Sequence, residues 1–137
     1  MGTVYAEITL KNVVDAARVR DGQIKEQDIR SATVTALVDT GAMTLVITEK
    51  LYQTLGLSKV GERMIRTASG QRLACTVSEP VDIHWKNRSS SQRAVVIPGA
   101  EDVLLGAIPL EDMDLMVNPV TQELIGIHGD IVEHIAM

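Results

Sequence analysis

The sequence has no Phe, one Trp, two Tyr and one Cys in 137 residues. With aromatics at 2%, a core has to be assembled from Val, Ile, Leu, Met and Ala. A lone Cys75 excludes an internal disulfide and suits a reducing compartment. Basic residues are in the minority, 13 Lys and Arg against 18 Asp and Glu, for a net charge of −5. That balance argues against a nucleic-acid partner, which requires a basic face. No apolar run approaches the roughly 20 residues that cross a bilayer as a helix. The first residues lack a basic-then-apolar leader, so the expectation is a cytoplasmic protein with no membrane partner. Asn87-Arg88-Ser89 fits a glycosylation acceptor, but without a leader it carries no functional meaning. There is no phosphate-cradling glycine loop, and no cofactor is expected.

What is present reads as one globular domain spanning residues 1–137, with 45% hydrophobic residues. Residues 3–10 alternate Val4, Ala6, Ile8 and Leu10 with polar neighbours, the period of a half-buried strand, and residues 13–19 could extend it. Asp21-Gly22 is a turn signal, and the charged residues 23–30 read as a solvated short helix or loop. Residues 48–56 suit a short helix, capped by Thr48, facing the core through Leu51 and Leu55 and ended by Gly56. Residues 60–67 and 72–78 read as strands around the turn Ala68-Ser69-Gly70-Gln71. Residues 80–86 and 93–97 read as two more strands, joined by a polar loop at 87–92. Pro109 suits the first turn of a helix that Leu110 and Met113 continue, and residues 115–127 finish in a hairpin.

The chain is organised around Ala36-Leu37-Val38-Asp39-Thr40-Gly41-Ala42. The apolar run 34–38 reads as a buried strand, and it stops abruptly at a carboxylate, a hydroxyl and a glycine. A second apolar run, 43–47, follows at once. Asp39 therefore lies at a tight turn between two buried strands, where a carboxylate is costly unless it is used. Much later comes Val103-Leu104-Leu105-Gly106-Ala107-Ile108, an apolar run closed by a glycine.

This pairing of motifs resembles the retropepsin-like (clan AA) aspartic proteases, in their small prokaryotic single-domain form. The similarity spans residues 4–119 and includes the phrase that begins at Pro98-Gly99-Ala100-Glu101-Asp102. The resemblance implies an all-β acid-protease barrel with a flap hairpin and one or two short helices. It implies Asp39 as the catalytic residue, Thr40, Gly41 and Ala42 as the active-site loop, and Leu104, Leu105 and Gly106 as support behind that loop. It also implies that Ala68, Ser69, Gly70 and Gln71 form the tip of a flap over a peptide or protein substrate. With only Gly70 at the tip, this flap carries less glycine than the viral enzymes. Met43 departs from the polar residue many relatives have there, and the tail 129–137 departs from the family pattern.

In the family's chemistry two adjacent carboxyls activate a water, one as base and the other as acid, because like charges this close cannot both ionise. This chain has a single Asp-Thr-Gly, and Asp82, Asp102, Asp112 and Asp114 offer no second copy. The simplest arrangement is a homodimer, each chain one half of a two-fold enzyme with an Asp39 at the axis. In the family the threonine of the motif bonds across that axis, and Thr40 holds its position. Rival sites are thin. His128, Asp130 and His134 lack a close third partner for a metal, so no metal is expected. His84 beside Trp85 reads as a strand residue, and Cys75 has no evident His partner. The alternative function is a non-catalytic dimeric peptide-binding or scaffold domain of the same fold.

Overall fold

The computed structural model describes residues 3–130. Strand β1 (Tyr5–Asn12) turns Ala6, Ile8, Leu10 and Asn12 inward and keeps Tyr5 and Glu7 exposed, as its alternation requires. The stretch after it does not extend the strand: Val13–Arg20 is a helix, α1. Asn12 makes the switch. Its side chain accepts a hydrogen bond from the Asp15 amide at 3.0 Å and donates to the Leu55 carbonyl at 2.8 Å. Asp15 in the first turn and Arg18 and Arg20 in the last then complement the helix dipole. A 3-10 turn at Glu26–Asp28 leads into β2 (Ser31–Val38).

The remaining elements are β3 (Leu45–Ile47), α2 (Glu49–Thr54), β4 (Lys59–Arg66), β5 (Arg72–Trp85), β6 (Arg88–Val96), β7 (Val103–Leu105), α3 (Ala107–Asp112), β8 (Leu115–Asn118) and β9 (Glu123–Gly126). Six strands form a closed barrel in the order β1-β2-β7-β3-β6-β5, with β5 returning to pair with β1, Leu10 opposite Ile83. The barrel core is aliphatic: Ile8, Leu10, Leu45, Ile47, Leu55, Ile83 and Leu105 are all buried. The architecture is the expected all-β barrel. The described residues hold three short α-helices, α1 standing where the sequence pattern allowed β1 to continue.

Two joints differ from the sequence reading. Residues 72–78 and 80–86 belong to one long strand, β5, with a register shift against β6 between Val77 and Pro80. Pro80 has no amide to donate, so the ladder skips there instead of ending. The supposed loop 87–92 is mostly strand: β6 begins at Arg88, after a tight turn with Lys86 at φ 50°. Its polarity misled because Arg88 and Ser90 point inward and are satisfied there, Ser90 donating to the Asp112 carboxylate at 2.6 Å.

Strand β4 pairs only with β5, so the β4–β5 hairpin projects beyond the barrel. A small second core sits at its base, with Cys75, Val77 and Val95 buried under Ile65, Leu73 and Ile97. The β8–β9 hairpin forms a separate two-stranded sheet. It is tied to the barrel by the buried Arg88, whose guanidinium donates to the carbonyls of Met113 (2.7 Å), Asp114 (3.0 Å) and Gly129.

Candidate active site

Strand β7 runs between β2 and β3, parallel to β2 (Val38 opposite Leu105) and antiparallel to β3 (Leu45 opposite Leu105). The turn from β2 to β3 is therefore anchored from the third strand between them. The Asp39 amide donates to the Leu105 carbonyl at 3.0 Å. The Ala107 and Ile108 amides donate to the carbonyls of Ala42 and Met43, each at 2.8 Å. Gly106 makes this fit possible. A Cβ there would lie 2.3 Å from the Thr44 carbonyl oxygen and 2.7 Å from that of Ala42. Leu105 and Gly106 are buried and Leu104 is half-buried.

Inside the turn the Asp39 carboxylate accepts from the Gly41 amide at 2.9 Å, and the Asp39 carbonyl accepts from the Ala42 amide at 3.1 Å. Those bonds fix the carboxylate at the lip of the barrel, half-buried. None of the ion pairs among the described residues involves Asp39. Thr40 and Gly41 are exposed, and Ala42 is half-buried. Beside Asp39 opens a cleft of about 630 Å³, lined by Leu37, Val38, Thr40, Val4, Met116 and Val117 among others. A second hollow of about 360 Å³ begins at Met43 and Thr44 and reaches Arg63 on β4. The β4–β5 hairpin and the Asp39 turn thus share one side of the molecule.

The hairpin tip is a tight exposed turn. Thr67 and Gln71 close it through an amide-to-carbonyl bond of 2.9 Å, Gly70 takes φ +86°, and Ala68, Ser69, Gly70 and Gln71 are solvent-facing.

Among the rival residues, the His128 ring nitrogen Nδ1 lies 2.9 Å from the Asp114 carboxylate, and His134 falls outside the described residues. No cluster of three or more His, Cys, Asp or Glu suited to a metal occurs among the described residues. Burial pushes the Cys75 thiol up, away from reactive thiolate character. No described helix is long and apolar enough to cross a membrane. Sequence reasoning passed over Arg63 and Arg93, which line the second hollow. The alternation Gly61, Arg63, Ile65 along β4 was the available signal, since it sets Arg63 on the same face as the half-buried Ile65.

The sequence matches the family model described as "Aspartyl protease" over residues 17–108, about two thirds of the chain. The chain belongs to the aspartyl protease family. The matched stretch contains both the Asp39 turn and the β7 strand that braces it. Among solved structures, the chain resembles the EIAV protease complexed with the inhibitor HBY-793. The TM-score is 0.59 at 21% identity, over 81% of this chain and 88% of that one. The likeness establishes a shared fold, the retropepsin-like barrel. No curated protein matches the sequence.

Proposed function

We propose that the chain is an aspartic endopeptidase, active as a two-fold homodimer in which Asp39 from each copy meets at the axis. The carrying observation is the Asp39 turn. A half-buried carboxylate with no ion pair among the described residues is held at the lip of an apolar cleft by three-strand bracing, and the chain contains only one such motif. In that dimer the two Asp39 carboxyls share one proton because both cannot ionise side by side. The ionised member takes a proton from water while the other protonates the oxygen of the scissile carbonyl. In the collapse of the tetrahedral intermediate, a diol, the newly protonated Asp39 gives its proton to the leaving amine while the other takes one from a hydroxyl of the diol, which restores the starting state.

Thr40, exposed at the turn, is the group to bond across the axis, and Gly41 and Ala42 leave room for substrate and partner backbone. Leu104, Leu105 and Gly106 act as positioning residues for the turn. Ala68, Ser69, Gly70 and Gln71 form the tip of a flap that covers the bound peptide. One buried cysteine suits a reducing compartment, and cytoplasmic residence belongs to this reading.

The test is digestion of an unfolded protein by purified chain at acid and neutral pH, with and without a transition-state-mimicking aspartic protease inhibitor, beside Asp39→Asn. Asp39→Asn keeps the shape of the side chain and removes both acid and base. It is expected to lose cleavage by several orders of magnitude while folding and dimerising like the parent. Near-parental cleavage by Asp39→Asn, in a preparation free of other proteases, overturns the assignment. So does a strictly monomeric protein in sedimentation equilibrium that still cleaves peptides. Peptide binding with no turnover at any pH would mark a scaffold domain instead.

A further inference from the structure

We propose that the hollow between the Asp39 turn and β4 is a specificity pocket for an acidic side chain of the substrate, a reading that rests on the proposed peptidase function. The hollow holds about 360 Å³ and is lined by Met43, Thr44, Arg63, Gln92, Arg93 and Ile108. Its apolar part is exposed to an unusual degree for such side chains, Met43 at 72% and Ile108 at 43%. Both are fixed in place by backbone: the Ile108 amide donates to the Met43 carbonyl at 2.8 Å. Met43 lies one residue past the turn that carries Asp39, so an extended peptide crossing Asp39 runs toward this hollow. Successive side chains of an extended chain alternate faces, and every second one would be offered to the same wall.

The charge of the hollow gives the specificity. Arg63 comes from β4 and Arg93 from β6, two strands that do not pair with each other. Neither guanidinium takes part in an ion pair among the described residues. In a chain of net charge −5, two unmatched cations converge on one hollow that contains no Asp or Glu. The acidic neighbour on β4, Glu62, is committed to Lys59 at 2.6 Å. Thr44 is held to the strand bearing Arg93, its hydroxyl donating to the Arg93 carbonyl at 3.3 Å. A hollow lined by apolar side chains and two arginines matches the methylene stem and carboxylate of Glu, or the shorter Asp. The same charges disfavour Lys or Arg at that position.

The experiment uses fluorescent synthetic peptides with an apolar centre, in which Glu, Gln or Lys is stepped through the flanking positions. Binding to Asp39→Asn is measured by anisotropy at low and high salt, and cleavage is measured with the parent chain. At one position, Glu is expected to bind roughly tenfold tighter than Gln at low salt, the order of magnitude for a partly screened carboxylate between two guanidinium groups. High salt should shrink the ratio. Arg63→Gln with Arg93→Gln should abolish it, and the double replacement by Glu should invert it toward Lys. Both side chains are exposed, so these variants should keep the parental circular dichroism and melting temperature. Equal affinity for Glu and Gln at every position, or a preference that survives removal of both arginines, overturns the pocket. A Glu preference that depends on the arginines, with no cleavage by the parent, upholds the pocket and refutes the peptidase reading.

Discussion

Gly106→Ala is the sharpest test of how the Asp39 turn is held. Gly106 has φ −88° and ψ −176°, an extended backbone that alanine adopts freely, so the conformation itself opposes nothing. Its surroundings do. The added Cβ would sit 2.3 Å from the Thr44 carbonyl oxygen, 2.7 Å from the Ala42 oxygen and 2.7 Å from the Thr44 nitrogen. The closest of these lies about 1 Å inside ordinary van der Waals contact. All three atoms are backbone, so no side chain can swing aside; the turn itself has to move. Moving it strains or breaks the two 2.8 Å bonds from Ala107 and Ile108 to the turn. Two hydrogen bonds at about 1 kcal/mol each, with overpacking of at least 1 kcal/mol, give a loss of roughly 3 kcal/mol. For a domain of this size that corresponds to a melting temperature about 10 °C lower. Calorimetry on the parent and Gly106→Ala measures it, with Gly61→Ala as control because a Cβ at Gly61 meets nothing within 4 Å. Loss of inhibitor affinity in Gly106→Ala should exceed any loss in Gly61→Ala. If Gly106→Ala melts within 2 °C of the parent and binds inhibitor equally well, the bracing argument fails.

Arg88→Met removes the buried guanidinium that satisfies the Met113, Asp114 and Gly129 carbonyls, and it should cost about 3 kcal/mol in urea unfolding, with amide protection in β8 lost first; a loss below about 1 kcal/mol would contradict the tether. The side-chain hydrogen bonds from Arg30 hold the Asp15 carboxyl below its ordinary value of 3.8, outweighing its burial. A depressed carboxylate stabilises the fold fully above that ordinary value and loses its contribution as pH falls through the folded one. The parent should therefore exceed Asp15→Asn by about 2 kcal/mol near neutrality, and the gap should close below about pH 4; a gap constant down to pH 2 would refute the linkage. Amides of residues 67–71 should exchange rapidly in the free chain and slow when an active-site inhibitor is present, and unchanged exchange would count against a flap.

The Asp39 turn and the β4–β5 hairpin were legible in the sequence from local rules, whereas the barrel and the support behind the turn were implied by the family resemblance. Alternating Val4, Ala6, Ile8 and Leu10 mark a half-buried strand, and the run cut short at Asp39-Thr40-Gly41 is a strand too, but a half-buried one: Ala36 is buried, Val34, Leu37 and Val38 are half-buried and Thr35 is exposed. The misread parts are those where a polar residue finds its partner far along the chain. Asn12 turns a strand into helix α1 by a local cap that also reaches Leu55, 43 residues on. Arg88 and Ser90 look like loop residues until Met113, Asp112 and Gly129 fold around them. Sequence could mark Gly106 as the end of an apolar run. Only the threading of β7 between β2 and β3 decided that no side chain fits there, since the atoms it would strike belong to residues 42 and 44. The placement of Arg63 and Arg93 on one hollow was likewise settled by tertiary structure: 30 positions apart, on strands that do not pair with each other, they line the same hollow because β4 and β6 both flank β5.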